Sequence, residues 1–265
     1  MRRIVTNQKA SELNLDETVR RAVLDKILAT FQDRRIVILT GLRRSGKSTL
    51  LRQLMGTQKN YCYVSFEDER FLNFKAEDFE SLNEVLVEAY GSPKTYFFDE
   101  IQNIEKFELF VRRLHDEGKK VVITGSNASL LSKELGTRLT GRYVPFEVFP
   151  FSFAEYLTFS KVHPEKDWPY LAEKKVLLEK CFSEYAEKGG LPEYLRSPSD
   201  DYARNLYENV LYRDIIARYS IKRQKILKEL VSILVTNISS KFTYNSLKKA
   251  VGLANAITVK EYISY

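Results

Sequence analysis

The sequence has few of the residues that carry metal and redox chemistry. Histidine occurs only at positions 115 and 163, which leaves almost nothing for a His-rich metal site or a His-based nucleophile triad. Cys62 and Cys181 are the only cysteines and stand far apart without metal-like spacing. They predict free thiols in a reducing compartment and exclude a disulfide framework. No apolar stretch approaches the length that spans a bilayer. The N-terminal "MRRIVTNQKASELNLDETVR" opens with two arginines but has no apolar core behind them, so it does not read as a targeting peptide. A cytoplasmic protein with no membrane partner is expected. Internal repeats, low-complexity tracts and an Asn-Lys-x-Asp guanine-reading signature are all missing.

What is present is ordinary globular composition: 265 residues, 44% hydrophobic and 29% charged. That length predicts one large core plus an appendage. Net charge is +7, and the excess is concentrated at the end, with 11 Lys and Arg against 5 Asp and Glu from Asp201 to Tyr265. Such asymmetry suits an acidic partner such as nucleic acid, and equally the solvated faces of basic helices.

Residues Leu13 to Phe31 place Val19, Val23, Ile27 and Leu28 at helical spacing and predict an amphipathic helix. "RRIVILTG" follows as a β-branched run of strand length, and similar runs lie at Asn60 to Asp68, Lys94 to Glu100 and Lys119 to Asn127. A fifth strand is read in "RYVPFEVFP", which ends at Pro150. Helical segments such as "LNEVLVEAYG" and "KFELFVRRLHDEG" separate the runs. Apolar runs that do not alternate suit strands buried on both faces, so the expectation is a parallel sheet with helices on either side, an α/β fold. Beyond Pro150 the pattern becomes helical: "FSFAEYLTFS", the stretch from Tyr170 to Glu187, a "KGGLPEYL" turn with Gly189, Gly190 and Pro192 as breakers, and helices from Tyr202. The last segment reads as helix, turn, helix. Thr243 caps a helix ending at Gly252 and Asn255 caps the next, whose buried stripe is Val259, Tyr262 and Ile263, with Thr258, Lys260 and Glu261 outward. That shape reads DNA in some proteins and is a plain packing unit in others.

The chemistry centres on "VILTGLRRSGKSTLL". Gly41, Leu42, Arg43, Arg44, Ser45, Gly46, Lys47 and Ser48 match G-x-x-x-x-G-K-[ST] between a strand and a helix. Glycines let the backbone curl so that several N–H groups point at one phosphate, and the following helix offers its positive end to the same anion. Lys47 would reach the β and γ phosphates of a nucleotide, Ser48 would ligate Mg²⁺, and Thr49, in the first helical turn, can approach the α-phosphate region. Arg43 and Arg44 are expected to pack or to pair with carboxylates. Asp99 and Glu100 end the run "TYFFDE"; in P-loop proteins an Asp at a strand's C-terminal end holds the magnesium, commonly through water, and a neighbouring Glu can polarise the attacking water. Asn127 or Ser126 could sense the γ-phosphate from the tip of the next strand. Arg138 and Arg142 are candidates to stabilise charge on the transferred phosphoryl group, in cis or from a neighbouring subunit.

Together "GLRRSGKSTLL", "YFFDEIQ", "ITGSNASLLS", "TGRYVPFEVFPFSFAEYL", "GGLPEYL" and "LYRDIIARY" resemble the AAA+-type ATPases of bacteria and archaea that carry a C-terminal domain of unknown function. The resemblance implies a three-layer αβα P-loop core with strand order 5-1-4-3-2 over 1–150, a helical lid over 151–230, and the start of a winged helix over 231–265. In it Gly41 to Thr49 become Walker A, with Arg44 and Ser45 in the nucleotide-contacting loop. Asp99 and Glu100 become Walker B, Asn127 or Ser126 sensor 1, and Arg138 or Arg142 the finger-like arginine. Adenine over guanine is implied by the likeness alone. Family members usually continue into a further large domain, so a truncated chain ending inside the second helix of the winged helix is expected.

The leading functional expectation is a Mg-dependent, ATP-hydrolysing switch. The rivals are a DNA-binding module for which nucleotide is only a conformational ligand, and a P-loop kinase, against which the Asp99–Glu100 pair stands. A homo-oligomer and an unknown protein partner stay open.

Overall fold

In this computed structural model, residues 1–10, 18–125, 139, 141–165, 171–217 and 219–265 are described. The chain divides into two units, Met1–Pro198 and Ser199–Tyr265.

The first unit is built on five parallel strands: β1 (Ile36–Thr40), β2 (Tyr61–Ser65), β3 (Thr95–Asp99), β4 (Lys120–Thr124) and β5 (Tyr143–Glu147). They lie in the order β2-β3-β4-β1-β5, which is the expected 5-1-4-3-2 read from the other edge. Side chains alternate across the sheet. Ile36, Ile38, Cys62, Val64, Tyr96, Phe98, Val121 and Ile123 share one apolar core with α4 (Phe79–Tyr90) and α5 (Phe107–Asp116). Val37, Leu39, Tyr63, Phe97 and Val122 share the other with α2 (Leu24–Ala29) and α3 (Lys47–Met55). Both faces are thus covered, which is why the strands show no polar alternation. Complete burial of a ring such as Phe98 is worth about 1.5–3 kcal/mol.

The two sheet edges are protected in different ways. β5 accommodates Pro145, which an edge strand tolerates because its N–H is not needed by a neighbour. On the β2 side, α1 (Arg2–Ala10) lies against the strand. Gln8 accepts from Ser65 N and donates to Ser65 O, both at 3.0 Å, so one amide completes the outer hydrogen bonds of an edge residue. This helix has no counterpart in the sequence reading, which found no apolar segment there; Val5 is its sole buried residue.

The expected helix from Leu13 to Phe31 is shorter among the described residues. Only Leu24–Ala29 is α-helical, continued by a 3₁₀ turn at Thr30–Gln32, and Thr18 to Arg20 carry no regular structure. The buried guanidinium of Arg21, described below, holds this stretch by tertiary bonds. Residues 13–17 of that segment lie outside the described residues.

After β5 come α6 (Phe153–Phe159), α7 (Ala172–Lys188) and α8 (Pro192–Arg196). They share a small core of Tyr156, Leu157 and Cys181. A Ser152–Glu155 capping box starts α6. Pro192 was expected to break helix; instead it opens α8, since proline's missing N–H costs nothing in the first turn. Both thiols are free and buried.

The second unit is helical. It comprises α9 (Asp200–Glu208), a π-helical segment Asn209–Ala217, α10 (Gln224–Thr236), α11 (Tyr244–Ala250) and α12 (Ala256–Ser264). Thr243 and Asn255 cap α11 and α12 as expected, accepting from Ser246 N (3.0 Å) and Ile257 N (2.8 Å). Val259 is fully buried with Leu230, Leu247, Val251 and Leu253, and Lys260 and Glu261 point outward. Among the described residues no helix is long and apolar enough to cross a membrane.

Candidate nucleotide-binding site

Parallel strands place all their C-terminal ends on one side of the sheet, and Gly41 to Thr49, Asp99 and Glu100 gather there. Directly after β1 the chain turns at Gly41 (φ 131°) and again at Gly46 (φ 96°). A Cβ on Gly41 would stand 2.3 Å from the Val148 carbonyl oxygen, closer than any side chain tolerates, so only glycine lets the loop run past the end of β5. Lys47 opens α3 and is buried, its ammonium donating to the carbonyls of Gly41 (3.1 Å) and Leu42 (3.0 Å). The lysine thereby spans the loop from one end to the other. Ser48 and Thr49 sit half-buried in the first turn of α3, where unpaired backbone N–H groups give the helix end its positive character. Arg44 pairs with Glu193 on α8 at 3.4 Å, the carboxylate partner expected of it. Ser45 is fully buried.

Asp99 is the last residue of β3 and almost wholly buried. Its Oδ1 accepts a hydrogen bond from the hydroxyl of Thr124, at the tip of β4. Its Oδ2 stands 3.5 Å from the Tyr63 hydroxyl on β2. Burial pushes the Tyr63 phenol up to about 12, and the neighbouring Asp99 charge adds to the rise. Thr124 also accepts the Glu100 amide at 2.9 Å. Glu100 itself is held at φ 51°, a left-handed conformation uncommon for a residue with a side chain. Burial raises its carboxyl above the ordinary value, while Lys47 and the amide of Gln102 act in the other direction. A carboxyl raised in this way is a stronger proton acceptor than a glutamate in water.

The structure thus brings Gly41 to Thr49 together with Asp99 and Glu100. It does not bring Arg142 to them. Arg142 precedes β5, its carbonyl accepting from Ile36 N at the start of β1 (2.8 Å), and its guanidinium pairs with Asp116 at 2.9 Å. A five-residue strand separates it from the loop, roughly 16 Å along the sheet. Ser126, Asn127 and Arg138 lie outside the described residues.

Three residues at this end of the sheet escaped the sequence reading. Thr124 stood in the "ITGSN" run, two positions before the residues singled out, and a polar residue at a strand tip beside Asp99 was its only signal. Tyr63 looked like one more aromatic of an apolar strand. Arg21 carried no local signal.

As a metal site the region offers oxygen donors only, the Ser48 hydroxyl and the Asp99 carboxylate. Among the described residues no cluster of three or more His, Cys, Asp or Glu could hold an ion by itself. That donor set fits Mg²⁺, which is normally bound by one or two protein oxygens plus substrate phosphates. The positive-φ glycine cradle and the start of α3 fit a polyphosphate.

A parallel αβα sheet with a glycine-rich loop after β1 and a carboxylate pair at the tip of β3, one strand removed across β4, defines a P-loop protein of the nucleoside-triphosphate-binding class. Residues 33–157 match the family described as an AAA domain, and residues 179–265 match a domain of unknown function. The chain thus carries an AAA domain followed by a domain of unknown function. It is 33% identical over 234 residues to an uncharacterized protein of Methanocaldococcus jannaschii, covering 85% of this chain and 51% of that one. It is 32% identical over 215 residues to an uncharacterized protein of Haemophilus influenzae, covering 77% and 52%. The chain therefore spans about half the length of these curated relatives. Among solved structures it is similar to a Walker-type ATPase of Pyrococcus abyssi, at 15% identity and TM-score 0.47, covering 89% of this chain and 90% of that one.

Proposed function

We propose that the protein binds Mg·ATP at the Gly41–Thr49 loop, hydrolyses it, and works as a nucleotide-driven switch in the cytoplasm. The observation that supports this most directly is the convergence of a buried Lys47, spanning the loop, with Asp99 and a Glu100 whose carboxyl is raised by burial. In this reading Lys47 exchanges a loop carbonyl for a phosphate oxygen, and the backbone of Arg44 to Ser48 lines the phosphates. Ser48 and Asp99 would hold Mg²⁺, which when bound offsets phosphate charge. Glu100 takes the proton of the attacking water. Asn127 keeps its role as the γ-phosphate sensor, with Ser126 as its substitute. Arg142, at the far end of its own sheet, would act only on a neighbouring copy's site, and Arg138 is its alternative.

The proposed division is a core over 1–150, a helical lid over 151–230 and the start of a winged helix over 231–265. Residues 151–230 run across Pro198, where the two compact units part. The lid portion that belongs to the first unit is therefore α6 to α8. ATP turnover by the purified chain beside Lys47→Ala and Glu100→Gln tests the assignment. Phosphate release that depends on Mg²⁺, needs no acceptor and is lost in both variants supports it; equal rates in all three remove it. Release only when an acceptor is supplied would instead mark a kinase.

One observation favours DNA as a partner. In the second unit the capped pair α11 and α12 carries exposed Lys249 and Lys260, with Lys241 exposed just ahead. Binding to duplex DNA at low salt that weakens steeply as salt is raised would support that partner, because neutralised phosphates release counterions. No binding at low salt would remove it.

A further inference from the structure

Arg21 is a charged side chain only 5% exposed, and each of its three guanidinium nitrogens is engaged. Nε donates to Glu155 Oε1 at 2.9 Å, Nη1 to the Ser45 carbonyl at 2.9 Å and Nη2 to the Phe149 carbonyl at 2.7 Å. The guanidinium also stacks near the Phe151 ring, 5.2 Å from its centroid. A Cβ on Gly46 would meet Nη1 at 3.1 Å, so the arginine lies directly against the phosphate loop. Its four contacts come from three separate places: the loop itself, the connection that leaves β5, and helix α6.

The bond to Ser45 has a geometric consequence. In a planar trans peptide the C=O and the N–H point in opposite directions. A donor that fixes the Ser45 carbonyl on the outside of the loop therefore fixes the direction of the Gly46 N–H on the other side. A phosphate nest works only if such amides hold one direction before the anion arrives. The loop's own hydrogen bond from Ser45 N to Leu42 O, at 3.3 Å, belongs to the preceding Arg44–Ser45 peptide and does not set the direction of this one.

Glu155 holds the arginine in turn. Its Oε1 also accepts Ala22 N at 2.9 Å, and its Oε2 accepts Ser152 N at 2.9 Å and the Ser152 hydroxyl at 3.1 Å. Burial opposes its ionisation, but the Ala22 and Ser152 amides and the Arg21 guanidinium outweigh that and keep its carboxyl below the ordinary value. The Arg21–Glu155 pair is therefore charged, enclosed and supplied with donors on every side.

We propose that Arg21 is a positioning residue of the nucleotide site: it fixes the Ser45–Gly46 peptide of the phosphate loop and, through Phe149 and Glu155, ties that loop to the chain entering α6. The inference rests on the reading of Gly41–Thr49 as the ATP loop. Movement of α6 and loop geometry are then linked through one side chain, and nucleotide binding reports to the lid by the same path.

The test measures Mg·ATP affinity by calorimetry for the wild-type chain, Arg21→Lys and the double variant Arg21→Met, Glu155→Gln, each also melted without nucleotide. Lysine keeps a charge opposite Glu155 but has one nitrogen in place of three, so it cannot hold both carbonyls as well. The double variant removes both charges together and leaves no unpaired buried ion. Both variants should melt cooperatively yet bind at least about tenfold more weakly than wild type. If Arg21 only supports the fold, affinity will instead follow melting, and a variant that melts like wild type will bind like wild type. That result overturns the inference, as does failure of both variants to fold. Absence of Mg·ATP binding by the wild type would overturn the nucleotide reading first and the inference with it.

Discussion

Thr124 and Asp99 are joined across neighbouring strands: the threonine hydroxyl on β4 donates to the Asp99 carboxylate on β3, and the same oxygen accepts the Glu100 amide. One buried hydroxyl thus sets the direction of both acidic residues at the strand tip. Neither could be placed so firmly by β3 alone, because the chain leaves the strand at Glu100 in a left-handed turn.

Replacing that hydroxyl should therefore be felt twice. Thr124→Val keeps the shape but leaves a buried carboxylate oxygen and a backbone N–H without this partner, at a cost of about 1–3 kcal/mol in stability. Mg-dependent turnover should fall further than stability explains, while Thr124→Ser restores both. Thermal melts beside steady-state phosphate release check this, and wild-type turnover in a folded Thr124→Val variant would show that the bridge plays no part in the chemistry.

Gly41 gives a second expectation, this time about backbone. Alanine there would place its Cβ against the Val148 carbonyl and would have to adopt φ 131°. Gly41→Ala should destabilise the first unit by more than about 1 kcal/mol, because substitution at an incompatible φ costs more than the entropy it saves. It should also abolish nucleotide binding. Gly118→Ala is the control. It too has positive φ, but a Cβ there meets nothing within 4 Å, so it should cost strain and leave binding intact.

The sheet was legible in the sequence because burial on both faces removes polar alternation: Ile36 and Ile38 face one core, Val37 and Leu39 the other. The loop, Lys47 and the carboxylates were legible as a group because a G-x-x-x-x-G-K-[ST] run after one strand and an acidic pair after another both fall at the C-terminal ends of a parallel sheet. Arg21 was not, since its partner Glu155 lies 134 residues away and nothing local marks the pairing. Helix α1 was missed because it buries little beyond Val5 and is held by Gln8 against an edge strand. Pro192 was misread because a helix start and a helix break use the same residue.

The third prediction concerns Tyr63, whose hydroxyl faces Asp99 Oδ2. Tyr63→Phe removes the hydroxyl and keeps the ring in its core. At 3.5 Å the bond is long, so stability should change by about 1 kcal/mol or less. The magnesium concentration giving half-maximal turnover should rise, because Asp99 loses one of the two groups that orient it. Magnesium titrations of turnover in both proteins measure this, and coincident curves would exclude Tyr63 from metal placement.

Glu100 supplies the final prediction, and its sign follows from proton linkage. Burial raises the folded-state carboxyl above its ordinary value of 4.5. Between that value and the raised one the native state holds more protons than the unfolded chain, so stability falls as pH rises through the window and stays lower above it. A residue that would serve as the base is therefore destabilising at neutral pH, and removing its charge should relieve the cost. Nucleotide-free Glu100→Gln should melt above wild type at pH 7, and the gap should close as pH is lowered below about 4.5, where the unfolded carboxyl is also protonated. Turnover moves in the opposite direction, falling about 10²- to 10⁴-fold as expected for loss of a general base, while Mg·ATP affinity is retained. A gap in melting temperature that is the same at every pH would mean that burial of the charge is not its cause, and the argument for Glu100 as a tuned base would lose its physical ground.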